Sequence, residues 1–417
     1  MAALFVDIAV AADGPTITVV RCARLLDVIA GKYLTNANVI ISDDTITGVG
    51  GTPPSGSRVL DLSAGTCLPG LIDVHDHITF DPTINGYAAL GISAHRSTVT
   101  GVKNAKTTLL AGFTTIRNLG ADQYSDVAIR DGISAGDIDG PRMLVSGPPL
   151  SITGGHCDET LLPFEYHRVG EGVADGPWAA RTKVRQNVKY GADVIKVCAS
   201  GGVMSKGDQP GMPQYTFEEL QAIAEEAHKL GRKVAAHAHG TESIKQSILA
   251  GIDSIEHSSL IDDEGIRLAK EHQTFLVFDI YCDDYIQSEG LKLGMLPESI
   301  DKSKAIMKRL RENFRKAGLA GTRQAFGTDA GVYPHGDNWK QFPVMVEFGM
   351  KPIDAIRSAT VEAAELLGLQ NRVGVVAPKA FADIIAVDGD PLTDITKLGT
   401  VKFVMKGGKV YRNDFAK

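Results

Sequence analysis

Eight short apolar segments, each followed by a polar or amphipathic stretch, constrain the fold of this 417-residue chain more than any other feature. They are LIDVHDH (71–77), TTIRNL (114–119), PRMLVSG (141–147), DVIKVCA (193–199), KVAAHAH (233–239), DSIEH (253–257), TFLVFDI (274–280) and QAFGTD (324–329). Short apolar runs rich in β-branched residues read as buried parallel strands, and the stretches between them read as helices. The clearest helix is TFEELQAIAEEAHKLG. Thr216 is its N-cap and Glu219 completes a capping box. Phe217, Leu220, Ile223, Ala227 and Leu230 form its apolar face, and Gly231 ends it. Eight strands alternating with helices predict an α/β chain folded as a (β/α)8 TIM barrel.

The two ends of the chain differ from this middle. TITVVRCARLLD, NVIISDDTITGVG and RVLDLS at the start, and ADIIAVDGD and VKFVMKGGKVYRN at the end, alternate apolar and polar residues between turn residues. That pattern predicts antiparallel strands. The expected organisation is a small β-sandwich domain from residues 1–69 and 366–417, wrapped around a barrel of residues 70–365.

A 43% hydrophobic composition can fill such a core, and the formal net charge of −7 offers no basic face for nucleic acid or an acidic membrane. No apolar run is long enough to span a bilayer. The N-terminal MAALFVDIAVAADG lacks a basic leader and is read as the edge of the fold. Five cysteines, an odd number with no CxxC pair, argue against a disulfide framework and for a reducing, cytoplasmic setting.

Catalytic residues of a barrel lie at the C-terminal ends of its strands, and unusual polar residues fall there. His75 and His77 are two apart, so both imidazoles share one face of the first strand. His237 and His239 repeat this on the fifth, His257 ends the sixth, and Asp329 ends the eighth. Lys196 lies inside an apolar strand, where an ammonium loses its hydration. Two readings fit it: a lysine whose tip reaches solvent or a carboxylate, or a neutral amine that adds carbon dioxide and becomes an anionic, two-oxygen bridge. Each residue alone is ambiguous, and the set is specific. Two divalent ions carry +4 against −3 from a carbamate, Asp329 and a bridging hydroxide, leaving positive charge to polarise a carbonyl.

The stretches LPGLIDVHDH, DVIKVCASGG, AAHAHG, IEH and GTDAG, with the tail RVGVVAPKAFADIIAVDGDP, resemble the amidohydrolase superfamily along nearly the whole chain. That resemblance implies two zinc ions, one held by His75, His77 and Asp329 and the other by His237 and His257. Carboxylated Lys196 bridges them, and Asp329 shuttles the proton. TGGHCDE, KVCASGGVMSKGDQP, HAHGTESIKQSI and FDIYCDDYIQSEG are similar to the prolidase-like carboxypeptidase and dipeptidase branch, which includes ochratoxinase-like amidohydrolases. By that resemblance His156, in the GGH motif, holds substrate. His239 contacts the scissile carbonyl where many prolidase-like relatives carry tyrosine. Tyr281 and His335, just beyond strand ends, are candidates to line the substrate pocket.

The resulting expectation is an enzyme releasing a C-terminal amino acid from dipeptides, N-acyl or N-aroyl amino acids, ochratoxin A among them. Its partners are small molecules, and the resemblance implies a homo-oligomer. A mononuclear hydrolase of cyclic C–N bonds, imidazolonepropionase-like or deaminase-like, is the alternative, against which Lys196 weighs. A non-catalytic barrel is the third, and no ligand position has been lost to support it.

Overall fold

The computed structural model describes residues 17–416, and the N-terminal stretch read above as a fold edge lies outside them. The chain opens with strands β1 (Ile17–Asp27), β2 (Lys32–Ser42), β3 (Thr45–Val49), β4 (Arg58–Asp61) and β5 (Thr66–Pro69). Seven more follow: β6 (Leu71–Asp76), β7 (Phe113–Asn118), β8 (Arg142–Val145), β9 (Val194–Cys198), β10 (Lys233–Ala238), β11 (Ser254–His257) and β12 (Phe275–Val277). It closes with β13 (Ile384–Val387), β14 (Val401–Lys406) and β15 (Lys409–Asn413).

Strands from both ends share one eight-stranded sheet, ordered β15-β14-β13-β5-β1-β2-β3 with β4 beside β1. The ends meet where β13 runs antiparallel to β5, with Ile385 opposite Leu68. In β2 the alternation is visible as buried Ala37, Val39 and Ile41 between more exposed neighbours, as a half-buried strand requires.

The middle of the chain forms two parallel sheets, β6-β7-β8 and β9-β10-β11-β12. β6, β7 and β9 are buried along their whole length, which is why their sequences run apolar rather than alternating. Single bridges join the sheets. Leu150 pairs with Val197 on one side, and Gln324 with Leu276 on the other. Residues 324–330 then return to β6, where Val74 N–H donates to Phe326 O and Asp329 N–H to His75 O. The eighth segment thus occupies its expected place without forming a regular ladder. Asp329 is left-handed (φ 59°), and a Cβ at Gly327 would lie 2.7 Å from that of His75. The first turns the backbone out of a strand, and the second packs the segment tightly on β6.

The helix Phe217–Lys229 begins as the sequence predicts. Thr216 Oγ1 accepts from Glu219 N–H (3.3 Å) while Glu219 Oε2 accepts from Thr216 N–H (2.8 Å). Between β8 and the helix Pro177–Lys189 lies a long excursion whose only helical turn is Phe164–Tyr166. No helix among the described residues is long and apolar enough to cross a membrane.

The cysteine reading requires correction. Cys22 is bonded to Cys67 and Cys157 to Cys198, leaving Cys282 as a free, buried thiol. The partners are 45 and 41 residues apart in sequence, yet their Cα atoms lie 6.1 and 6.2 Å apart, within disulfide reach. Spacing along the chain carries no trace of this proximity. The expectation of a cytoplasmic setting loses the support it drew from unpaired cysteines.

Candidate metal centre

The strand-end residues converge on one cavity of about 370 Å³ whose wall includes His75, His77, Lys196, His237, His257 and Asp329. His77 Nε2 is 3.1 Å and His75 Nε2 3.5 Å from Asp329 Oδ1, and Lys196 Nζ is 3.3 Å from His75 Nε2. On the other side the His237 and His257 rings are 4.5 Å apart. Two groups can each close on an ion, with donor atoms within 4.8 Å: His75, His77 and Asp329, and His237, His239 and His257. His257, Asp279 and Asp329 make a third such group. Imidazole nitrogens with carboxylate oxygens are the donor chemistry of zinc and similar divalent ions, so these residues fit the implied metals. His257 and Asp329 both have left-handed backbones, at φ 69° and 59°. Such strained conformations persist where the surroundings enforce them and cluster at functional sites.

Carboxylates behind the histidines set their orientation, and the sequence reading missed them. Asp279 Oδ2 lies 2.7 Å from His257 Nδ1. Glu256 Oε2 lies 3.3 Å from His75 Nδ1, while Glu256 Oε1 takes hydrogen bonds from Arg117 (2.8 Å) and Ser254 (2.6 Å). A carboxylate on the far nitrogen fixes which nitrogen faces a metal. The signal was present in SIEH and FLVFDI, where an acid interrupts an apolar strand.

Comparison with known proteins identifies the family. The model of the amidohydrolase family matches residues 66–411. The chain belongs to the amidohydrolase family. Among curated proteins, the ochratoxinase of Aspergillus niger is 34% identical over 411 residues, spanning 92% of this chain and 84% of its own length. Among solved structures, a Xaa-Pro dipeptidase with methionine bound in its active site superposes with a TM-score of 0.90 at 34% identity, covering 95% of this chain and 100% of that one. The A. niger ochratoxinase structure gives 0.85 at 31% identity, covering 96% of each chain.

Burial and neighbouring charges together set the electrostatics of this amidohydrolase. Lys196 is 3% exposed, and burial lowers its pKa to about 8 against the pull of Glu256 and Asp329. Burial likewise lowers His75 to about 4, with Lys196 adding to the effect. Burial would raise Asp329, but the hydrogen bond from His77 and the nearby His75 and His257 hold its carboxyl well below the usual range. Glu256 is also held low, because Arg117 and His75 outweigh burial.

His156 and His239 both face the cavity. The His156 ring stacks on His237 with centroids 4.1 Å apart. It lies flush on Gly202, where a Cβ would come 2.1 Å from its Cε1, so this glycine serves packing. His156 Nδ1 is 2.7 Å from Ser205 Oγ, which donates to Asp208 Oδ1 at 2.6 Å. Lys302 Nζ donates to the same carboxylate oxygen (2.8 Å). Since the serine gives its single proton to the aspartate, its oxygen accepts from His156 Nδ1–H. Neutral His156 therefore presents the lone pair of Nε2. His239 Nδ1 lies 2.7 Å from Ser259 Oγ. Tyr281 and His335 do not line the cavity, contrary to expectation. Tyr281 packs edge-on to Tyr333, and His335 turns inward to bond Asp76 Oδ1 at 3.1 Å.

Proposed function

We propose that the chain is a two-metal amide hydrolase that releases a C-terminal amino acid from N-acyl or N-aroyl amino acids and dipeptides. The carrying observation is the convergence of two imidazole clusters on one cavity, with Asp329 beside one and buried Lys196 within reach. The similarity to ochratoxinase and to a Xaa-Pro dipeptidase supports an amide as the bond cleaved. We read the parallel circuit as a (β/α)8 barrel of residues 70–365, carrying a small β-domain made from both chain ends (1–69 and 366–417).

His75, His77 and Asp329 would hold one ion and His237 and His257 the other. Bound divalent ions, zinc by donor preference, would supply Lewis acidity toward the scissile carbonyl and lower the pKa of water. Lys196 would serve as N6-carboxylysine: the ammonium first gives up one proton, the free amine bonds to the carbon of carbon dioxide, and a second proton leaves the nitrogen, so that a buried cation becomes an anion. Asp329 would take a proton from the attacking water and deliver it to the leaving amine nitrogen. If Ser259 donates to His239 Nδ1, His239 Nε2–H can donate to the carbonyl oxygen. His156 Nε2 accepts, so it suits an N–H of the substrate rather than its carbonyl.

The test combines metal analysis with a substrate panel of N-acyl amino acids, dipeptides and ochratoxin A. About two ions per chain and release of free amino acid are expected. A two-ion enzyme that releases no amino acid from any of them, or an active enzyme with one ion, would reject the reading.

A further inference from the structure

One wall of the metal-centre cavity comes from two helices packed together, Cys282–Glu289 and Pro297–Ala320, which bring Asp283, Ile286, Ile306 and Leu310 to it. Asp283 is a carboxylate among aliphatic side chains and is 5% exposed. Its Oδ1 accepts from Ser303 Oγ (2.5 Å), and the same serine oxygen accepts from Gln287 Nε2 (3.1 Å). The serine gives its single proton to the aspartate, so this network is arranged around an acceptor. Oδ2 takes no hydrogen bond from any described residue. Nearby cations are engaged elsewhere: Arg311 pairs with Asp284, and Lys302 with Asp208. Among the described residues of the cavity wall, Lys196 is the one lysine and there is no arginine. Burial pushes the Asp283 carboxyl up to about 7 against the pull of the Ser303 bond. Holding two helices together does not explain this residue, because asparagine would make the same bond without burying a charge.

We propose that Asp283 is a specificity residue that binds a protonated amine of the substrate, so that amides carrying a free ammonium are preferred over their uncharged counterparts. The proposal rests on the amide-hydrolase reading above and adds to it the charge that a preferred substrate carries. An ammonium at Oδ2 supplies the cation that the protein withholds from this carboxylate. Ile286, Ile306 and Leu310 keep water from the contact, which strengthens it, and suit the carbon skeleton that bears the amine. Asp283 follows closely on Asp279, whose Oδ2 is 2.7 Å from His257 Nδ1, so the contact belongs near the metal centre. The α-ammonium of a dipeptide, one carbon from the scissile carbonyl, is the expected source. A side-chain amine offers the same group farther from the bond cleaved.

The experiment compares pairs of amides that differ by one amino group, on the zinc-loaded full chain. The pairs are leucyl-phenylalanine with 4-methylpentanoyl-phenylalanine, 6-aminohexanoyl-phenylalanine with hexanoyl-phenylalanine, and hexanoyl-lysine with hexanoyl-norleucine. Wild-type kcat/KM is expected to favour the ammonium member of the first pair at least about tenfold, the scale of a hydrogen bond between charged groups. A preference found in the second or third pair instead assigns the same contact to a side-chain amine. Asp283→Asn, and independently Asp283→Thr, keeps a partner for Ser303 and removes the charge. Each is expected to lower the charged-to-uncharged ratio at least about fivefold, with circular dichroism confirming the fold. A merely structural role would slow both members of a pair alike and leave the ratio unchanged. No ammonium preference in any wild-type pair, or a preference kept by a folded variant, overturns the proposal while leaving amide hydrolysis intact. Should no member be cleaved, the failure belongs to the function reading, and calorimetric binding of the same pairs then decides. An ammonium member that binds more tightly to wild type, but not to the variants, supports the contact. Equal affinities within every pair, or a difference that the variants keep, overturn it.

Discussion

Lys196 shows how much one residue can imply. It stands in β9 with apolar neighbours on both sides, 3% exposed, among carboxylates and imidazoles rather than at a solvent edge. An ammonium there is costly, and conversion to an anion between two cations removes the conflict. Lys196→Ala is expected to drop bound metal below that of wild type. Turnover should fall by at least about a hundredfold, because even changes behind a ligand cost 10–100-fold. A short carboxylic acid should restore part of both. A variant that keeps two ions and normal turnover would remove Lys196 from the centre. Lysine, histidine and aspartate were legible in the sequence because apolar strands make a polar residue conspicuous. Tyr281 and His335 misled for the complementary reason: in loops, direction is set by local backbone that no periodicity reveals.

At the scale of elements, the loop after β9 does more than turn the chain. Asp208 gathers Lys302, Ser205 and Gly202 N–H, and through Ser205 the loop sets the tautomer of His156 on a different segment. Ser205→Ala would leave His156 Nδ1 without its acceptor. KM is expected to rise about tenfold, the value of one hydrogen bond of this kind, with a smaller change in kcat and recovery in Ser205→Thr. An unchanged KM in the alanine variant would show that the ring needs no such support. Strands and helices were legible because each has a period, and Thr216 with Glu219 marked a helix start to the residue. The Ser205–Asp208 link and the irregular return through residues 324–330 have no period. The first becomes useful only when the fold brings His156 and Lys302 to it, and the second forms only when residues 324–330 meet β6.

For the whole molecule, the eight-stranded sheet unites residues from both ends, and the Cys22–Cys67 bond ties two of its strands, β1 and β5. Closing a loop of 45 residues restricts the unfolded chain. In the chain-entropy view its loss costs up to about 4 kcal/mol. The double variant Cys22→Ser/Cys67→Ser should therefore unfold at lower denaturant concentration while keeping its metal. Unfolding at the wild-type midpoint would mean that the pair makes no covalent contribution.

The second bond has a different consequence. The excursion after β8 would, if held only at its ends, wander as one long loop. Besides the Leu150–Val197 bridge, Cys157 pins it covalently to Cys198, two residues beyond Lys196. His156 sits on the neighbouring residue. The wall proposed to meet the substrate and the floor that would hold the metals thus share one anchor, and any breathing of the excursion must leave their spacing nearly constant.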